Sequence, residues 1–101
     1  MKVVVTGGTG FVGQRLKKIR SDWVYLSSKD YDLVSTEDCK RMYRELQPDA
    51  VLHMAGKVGG IGANDAHPAE FYYLNTMINT NVIHQGYLHG VKRILAALST
   101  C

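Results

Sequence analysis

The sequence of 101 residues has few cysteines and no long apolar run, and each scarcity excludes a class of protein. Its two cysteines, Cys39 and Cys101, are too few for a disulfide framework and lack CxxC spacing, which favours a reducing, cytoplasmic location. The first apolar run, residues 3–5, is far too short for a signal peptide or for the about 20 residues of a membrane span. We therefore expect neither secretion nor a membrane partner.

The charge of the chain also lacks the strong bias of a nucleic-acid-binding protein. Twelve Lys and Arg against nine Asp and Glu give a formal net charge of +3, and the basic residues are scattered without interleaved aromatic residues. We expect no nucleic-acid partner. The four histidines lack metal-ligand spacing, so we expect no metal and interpret them as solvated or core residues. An apolar fraction of 46% is typical of one globular domain.

Strand-like apolar runs alternate with stretches of helical periodicity along the whole chain. The pattern predicts strands over 2–6, 23–26, 50–54 and 93–98. It predicts helices over 11–20, from Ser35 or Thr36 to before Pro48, and over 69–89. Connections of this length require parallel pairing and right-handed crossovers. The sequence therefore predicts an α/β fold, a Rossmann-like doubly wound parallel sheet that is truncated after about the fourth strand.

Each predicted helix has apolar residues on one face. These are Val12, Leu16 and Ile19 in the first helix, Cys39, Met42, Tyr43 and Leu46 in the second, and Phe71, Leu74, Ile78 and Val82 in the third. Asn79 falls on the third helix beside this stripe, and we interpret it as an exposed polar position.

A glycine-rich turn links the first strand to the first helix. Its sequence, TGGTGFVG over residues 6–13, fits GxGxxG from Gly8 and GxxGxxG from Gly7. In either register the first glycine permits a tight turn, Gly10 lets the backbone approach a pyrophosphate, and Gly13 allows the helix to pack closely. The helix N-terminus adds amide donors and a partial positive charge. This strand–turn–helix context predicts a dinucleotide site.

The residues after the second strand bear on the choice between NADP and NAD. An NAD site usually places a carboxylate at this strand end, where it holds the ribose 2′-hydroxyl. Here the strand runs into Ser27, Ser28 and Lys29, and two hydroxyls with a cation suit a 2′-phosphate better. Asp30 follows at about the distance from the glycines that an NAD-binding carboxylate occupies. We predict NADP, and Asp30 keeps NAD open as the alternative.

Several motifs together resemble a known enzyme family. The start TGGTGFVG is similar to the extended short-chain dehydrogenase/reductase family, whose members act on nucleotide sugars. The stretches LHMAGKVGGIGAND (52–65), YLNTMINTNVIH (73–84) and the final LSTC resemble the GDP-L-fucose synthase subfamily, so the resemblance covers essentially the whole chain. It implies an NADPH-dependent enzyme that epimerises GDP-4-keto-6-deoxy-D-mannose at C3 and C5 and then reduces it at C4.

The resemblance also implies roles for individual residues. The pyrophosphate would be held by Gly7, Gly8, Thr9, Gly10, Phe11, Val12 and Gly13. The adenosine and its 2′-phosphate would be flanked by Ser28, Lys29, Asp32 and Leu33. Further cofactor contacts would come from Ala55, Gly56, Ala97 and Leu98, and the sugar pocket would be bordered by Lys57, Val58 and Gly59. Ser99 would hydrogen-bond the 4-keto oxygen, and Cys101 would exchange protons at C3 and C5 together with a histidine further on.

The sequence departs from the family pattern in one respect. The family carries a Tyr-x-x-x-Lys pair on a helix beyond the fourth strand, and the chain stops at Cys101 before such a helix. We therefore expect residues 1–101 to be the N-terminal NADP-binding part, inactive alone, without the catalytic helix and the C-terminal substrate domain. Tyr25 and Lys29 have the spacing of the pair, but they lie at a strand end, and we interpret that match as chance.

Two other functions stay open at this point. One is another NAD(P)-dependent nucleotide-sugar epimerase or dehydratase, which works by transient oxidation at C4. The other is a non-catalytic dinucleotide-binding module that regulates a partner. By analogy with the family, we expect the full-length enzyme to form a homodimer.

Overall fold

The computed structural model describes residues 1–54 and 68–96. Within them lie four strands, which are β1 (Val3–Thr6), β2 (Val24–Tyr25), β3 (Ala50–His53) and β4 (Arg93–Ala96). The helices between them are α1 (Phe11–Ile19), α2 (Thr36–Leu46) and α3 (Pro68–Leu88). Strands and helices thus alternate in the order that the sequence predicts, with described bounds within one residue of the predicted ones. Residues 97–98 of the predicted fourth strand lie outside the described residues.

The four strands form one parallel sheet in the order β2-β1-β3-β4. In register, Thr6 lies opposite His53, and His53 lies opposite Ala96. The strand order switches direction beside β1, because the chain passes outward to β2 and then crosses back to β3. Right-handed crossovers of opposite direction place α1 on one face of the sheet and α2 and α3 on the other. The predicted Rossmann-like α/β fold is confirmed.

The core lies between the sheet and the layer of α2 and α3. It includes Val4 and Val51 from the strands, Cys39, Met42 and Tyr43 from α2, and Ile78 and Val82 from α3. The Tyr43 hydroxyl donates to the Val82 carbonyl at 2.7 Å, which ties the two helices together. Gly86 allows this close approach, because a Cβ there would lie 2.9 Å from that hydroxyl and 2.4 Å from Ile94 Cδ1. These buried positions confirm most of the apolar stripe predicted for α2, where Leu46 is half-buried. In the α3 stripe Ile78 and Val82 are buried and Leu74 is half-buried, and the side chain of Phe71 lies outside the described residues.

The apolar face predicted for α1 lies outside this core. Val12 remains 51% exposed and Ile19 78%, whereas Gly13 is buried. Leu16, the third residue of that face, is half-buried, so the spacing predicts the helix correctly but not the exposure of Val12 and Ile19. Periodicity states which residues share a face, and it carries no information about whether another layer covers that face.

Local signals define the ends of α2 as predicted. Ser35 Oγ accepts a hydrogen bond from the Asp38 amide at 3.3 Å, which satisfies a free donor of the first turn. At the other end Gln47 adopts the left-handed conformation with φ 46, and Pro48, which cannot continue a helix, follows it. Among the described residues, no helix is both long enough and apolar enough to cross a membrane.

Candidate functional site

The turn over residues 7–13, hereafter the glycine turn, lies at the carboxyl end of β1 where the strand order switches. Gly7 has φ 69, a left-handed conformation that glycine adopts without strain. The Gly8 amide donates to the Leu26 carbonyl at 2.7 Å, and a Cβ on Gly8 would lie 2.7 Å from Tyr25 Cβ. The tight turn therefore falls on Gly7, as in the GxxGxxG register, while Gly8 lets the turn press against the end of β2.

The other two glycines of the motif serve different purposes. A Cβ on Gly13 would lie 2.4 Å from the Gly8 carbonyl oxygen, so α1 begins in direct backbone contact with the turn. A Cβ on Gly10 would meet the Gly7 carbonyl oxygen at 3.3 Å, which a small shift relieves. Gly10 is exposed at the N-cap of α1. The fold needs Gly13, whereas Gly10 leaves the N-terminus of α1 open to a ligand.

The N-terminus of α1 is suited to an anion. Its first turn contains no acidic residue, and the first amides of a helix have no carbonyl partner within it. Gln14 Nε2 donates to the Thr9 carbonyl at 2.8 Å, and this hydrogen bond stabilises the turn. The Arg15 guanidinium lies 4.7 Å from the centroid of the Phe11 ring, one turn into the helix. Amide donors, a partial positive charge and a nearby cation together can hold a pyrophosphate.

The Asp30 carboxylate, in the loop after β2, is hydrogen-bonded within that loop. Asp30 Oδ2 accepts hydrogen bonds from the Ser27 amide at 2.8 Å and from the Ser27 hydroxyl at 3.2 Å. Ser28 and Lys29 are exposed at the tip of the same loop. The exposed carboxylate that kept NAD open is therefore hydrogen-bonded to Ser27, and Ser28 and Lys29 add a hydroxyl and a cation beside it. This arrangement favours a phosphate over a ribose hydroxyl as the neighbouring group.

The other two residues predicted to flank the adenosine make contacts within the protein. Asp32 Oδ1 accepts from the Val34 amide at 3.2 Å, and the Asp32 amide donates to Asp38 Oδ2 at 2.9 Å. Leu33 is buried in the core, and its carbonyl accepts from Asn81 Nδ2 at 2.8 Å. Their roles toward a cofactor stay predictions.

The remaining predicted site residues lie outside the described part of the chain. They are Ala55, Gly56, Lys57, Val58, Gly59, Ala97, Leu98, Ser99 and Cys101. The last described residue before Ala55 is Met54, which follows β3. The last described residue before Ala97 is Ala96, which ends β4. Because the carboxyl ends of parallel strands share one edge of the sheet, the described residues Met54 and Ala96 lie at the edge where the glycine turn lies. The roles of the predicted site residues beyond them stay predictions.

Thr6, His53 and Asn79 form a buried polar network at this edge, which the sequence did not predict. His53 is 0% exposed, and its Nδ1 lies 2.6 Å from Thr6 Oγ1 while its Nε2 lies 2.8 Å from Asn79 Oδ1. The interpretation of Asn79 as an exposed polar position was wrong, because Asn79 is half-buried and bonds this ring. One feature of the sequence could have indicated this network. Two apolar strands each end in a polar residue, β1 in Thr6 and β3 in His53.

Burial sets the protonation behaviour of His53. Desolvation lowers the pKa of His53 below its ordinary value of 6.5, and the hydrogen bond to Asn79 opposes that shift only in part. The unfolded chain therefore binds the proton more tightly than the folded chain does. Its contribution to stability is fully present above about pH 6.5 and is lost as the pH falls toward the lower folded-state pKa.

We expect the free energy of unfolding to fall with decreasing pH, with His53 contributing up to about 1.4 kcal/mol per pH unit. Urea denaturation between about pH 5 and pH 7.5 measures this slope in the wild type and in His53→Gln. The variant is expected to have the shallower slope. His84→Gln, at an exposed position of α3, is the matched control and is expected to keep the wild-type slope. Equal slopes in the wild type and His53→Gln would contradict the prediction.

The surroundings of Tyr25 favour the interpretation of Tyr25 and Lys29 as a chance match to the family pair. The Tyr25 hydroxyl donates to the Arg20 carbonyl at 2.8 Å. Desolvation, followed by the Asp22 carboxylate, raises the pKa of Tyr25. A tyrosine that transfers a proton near neutral pH needs a lowered pKa, so this environment opposes the catalytic role.

The chain is similar to one protein family and to several individual proteins of known name. The family model described as "NAD dependent epimerase/dehydratase family" matches residues 3–101. The chain is 38% identical to a putative GDP-L-fucose synthase 2 of Arabidopsis thaliana, over 99% of this chain and 32% of that protein. It is 35% identical to the GDP-L-fucose synthase of Dictyostelium discoideum, over 98% of this chain and 33% of that protein. The chain thus spans about a third of the length of these relatives.

Solved structures share the fold. A GDP-L-fucose synthetase from Naegleria fowleri bound to NADP matches with a TM-score of 0.87 and 36% identity, over 98% of this chain and 34% of that chain. A GDP-mannoheptose C4 reductase from Campylobacter jejuni with NADP bound matches with a TM-score of 0.84 and 30% identity, over 94% and 30% of the two chains. Both similar structures therefore contain NADP together with a sheet of this kind.

Proposed function

The chain belongs to the NAD-dependent epimerase/dehydratase family, and from this premise we propose that it is the NADP-binding part of a nucleotide-sugar epimerase/reductase. The observation that carries the proposal is the glycine turn. It stands at the switch point of a parallel sheet, where Gly7 makes the tight turn and Gly10 leaves the helix N-terminus open. In open α/β sheets a dinucleotide binds outside the carboxyl ends of the strands at such a point.

The described residues fit NADP. The glycine turn would hold the pyrophosphate with backbone amides, and the absence of a Cβ at Gly10 would let the backbone approach it. Ser28 and Lys29 would contact the 2′-phosphate, because both are exposed at the loop tip while the Asp30 carboxylate is hydrogen-bonded to Ser27. Bound NADPH supplies the hydride for reduction. The NADP-bound relative from Naegleria fowleri supports this choice of cofactor.

The choice of NADP can be tested at Lys29. We expect the protein to bind NADPH more tightly than NADH, and Lys29→Gln to reduce that preference about tenfold, since hydrogen bonds to charged groups contribute about 1.5–3 kcal/mol. Titration calorimetry with both cofactors measures the ratio. Lys18→Gln, at an exposed position of α1, is the matched control and is expected to leave the ratio unchanged. Equal wild-type affinities for NADPH and NADH would contradict the prediction.

We further propose that the full-length enzyme makes GDP-L-fucose from GDP-4-keto-6-deoxy-D-mannose. The names of the relatives, which align over nearly all of this chain, support that substrate. A proton next to a ketone becomes removable when fixed donors stabilise the developing enolate oxygen. We assign that donor role to Ser99, and proton exchange at C3 and C5 to Cys101 with a histidine elsewhere in the enzyme. Lys57, Val58 and Gly59 would border the sugar.

The test of catalysis uses the full reading frame supplied with NADPH and GDP-4-keto-6-deoxy-D-mannose. We expect substrate-dependent oxidation of NADPH, and a fall in kcat of about 100-fold or more in Ser99→Ala, as for loss of one oxyanion donor. Ser21→Ala, at an exposed position before β2, is expected to keep wild-type turnover. Cofactor binding without turnover would favour a regulatory module instead. Tightly held NAD with transient oxidation at C4 would favour the other epimerases and dehydratases.

We also propose that the full-length enzyme is a homodimer and works in the cytoplasm. Helix α3 exposes several large apolar side chains, namely Tyr72, Tyr73, Ile83, Tyr87 and Leu88. Apolar side chains grouped on a surface favour association with another protein surface. Sedimentation at increasing protein concentration tests the dimer, and a monomer at every concentration would contradict it.

A further inference from the structure

The ring of His53 joins three elements at the edge of the sheet where the cofactor is proposed to bind. His53 ends β3 and lies in register with Thr6, the last residue of β1. Its two nitrogens contact Thr6 Oγ1 at 2.6 Å and Asn79 Oδ1, on α3, at 2.8 Å. The ring is 0% exposed, so an unpaired nitrogen would lose its hydration without compensation. The proposed function assigns no role to any of these three residues.

The contacts determine which ring nitrogen carries the proton. An amide oxygen such as Asn79 Oδ1 can only accept, so His53 Nε2 donates to it. Nδ1 then presents its lone pair and accepts from the Thr6 hydroxyl. The same Thr6 oxygen accepts from the Met54 amide at 3.1 Å. The hydrogen bonds thus run in one direction, from Thr6 through His53 to Asn79.

We propose that Thr6, His53 and Asn79, the histidine clamp, position the cofactor site by holding the ends of β1 and β3 against α3, with the ring proton on Nε2. The proposal rests on the proposed function, because the site that it positions is the dinucleotide site at the glycine turn. In this role His53 acts through the backbone beside it, and it is a positioning residue.

The location of the clamp explains why cofactor binding would depend on it. Thr6 immediately precedes Gly7, whose φ of 69 begins the glycine turn. The Met54 amide, which follows β3, donates to both the carbonyl and the hydroxyl oxygen of Thr6 at 3.1 Å. The strand ladder and the Thr6 hydroxyl join β1 to β3, and the clamp adds α3 through Asn79. Hydrogen bonds weaken steeply when distance and angle depart from their optimum, so a shift of the turn would cost phosphate contacts.

Two pairs of variants test the clamp from opposite sides of the ring. Thr6→Val removes the hydroxyl while keeping the β-branched shape, and Thr6→Ser keeps the hydroxyl. Asn79→Leu removes the acceptor on α3, and Asn79→Asp keeps one. Thr80→Val makes the same change as Thr6→Val at an exposed position of α3 and is the matched control. Calorimetry measures NADPH affinity for each, circular dichroism monitors folding, and ¹⁵N NMR of labelled histidine reports which nitrogen of His53 is protonated.

We expect Thr6→Val and Asn79→Leu to bind NADPH about tenfold more weakly than the wild type, the loss expected from one broken hydrogen bond. Thr6→Ser and Asn79→Asp are expected to recover most of the affinity, and Thr80→Val to retain all of it. The wild-type spectrum is expected to have the proton of His53 on Nε2. If Thr6→Val does not fold, the Asn79 pair provides the same comparison at a half-buried position.

Two results would overturn the proposal while the proposed function stands. One is wild-type affinity for NADPH in both Thr6→Val and Asn79→Leu. The other is a His53 ring proton on Nδ1, which reverses the direction of the hydrogen bonds. A wild-type protein that does not bind NADPH would instead overturn the proposed function, and the clamp as a positioning device with it.

Discussion

Gly13→Ala is expected to cost more stability than any other single methyl group added to the glycine turn. The new Cβ would lie 2.4 Å from the Gly8 carbonyl oxygen and 2.6 Å from the Gly8 carbonyl carbon and Cα. All three atoms belong to the backbone, so no side-chain rotation relieves the overlap. Helix α1 would have to move away from the turn, and we expect a loss of about 3 kcal/mol or more in the free energy of unfolding. A loss of that size is a large fraction of the about 5–15 kcal/mol that stabilises a typical domain.

Urea denaturation followed by circular dichroism measures this loss. Gly90→Ala is the comparison, because Gly90 has φ 74 and a Cβ there would meet no described atom within 4 Å. Its cost comes from the left-handed backbone alone and is expected to be about 1–2 kcal/mol. If Gly13→Ala lost no more than Gly90→Ala, α1 would separate from the turn easily, and the close backbone contact would not be a requirement of the fold.

The parts of this fold that could be predicted from the sequence are those that local physical chemistry determines. Apolar runs and helical spacing indicated the order of strands and helices. Ser35 or Thr36 indicated the start of α2, and Pro48 indicated its end. The glycine turn could be interpreted for the same reason, since a left-handed residue and a close helix start both require the absence of a Cβ. In each case the residues that form the feature are near neighbours in the chain.

The parts that could not be predicted depend on contacts between distant residues. His53 and Thr6 are 47 positions apart and His53 and Asn79 are 26 apart, so no periodicity signals their hydrogen bonds. The exposure of Val12 depends on which layers cover α1, which helical spacing does not specify. The hydrogen-bond partner of the Asp30 carboxylate could not be predicted from the sequence either. Its position along the chain is that of a carboxylate that binds a ribose hydroxyl, whereas in the structure it accepts from Ser27.

Gly10→Ala is expected to have the opposite effect to Gly13→Ala, a nearly intact fold with greatly weakened cofactor binding. A Cβ on Gly10 would meet the Gly7 carbonyl oxygen at 3.3 Å, and Gly10 has φ −74, which alanine adopts freely. Alanine is a poorer N-cap than glycine, so we expect to lose about 1 kcal/mol or less in the free energy of unfolding. The added methyl group would nevertheless occupy the space through which the pyrophosphate approaches the N-terminus of α1.

We expect the affinity of Gly10→Ala for NADPH to fall by about 100-fold, the equivalent of losing about 2.7 kcal/mol of phosphate contacts. Calorimetry and urea denaturation of the same preparation measure both effects. A variant that kept its stability and bound NADPH as tightly as the wild type would show that the pyrophosphate does not lie at the glycine turn. The proposed function would then lose the observation that carries it. The opposite effects of Gly10→Ala and Gly13→Ala distinguish a glycine required by the ligand from one required by the fold, although they are one helical turn apart.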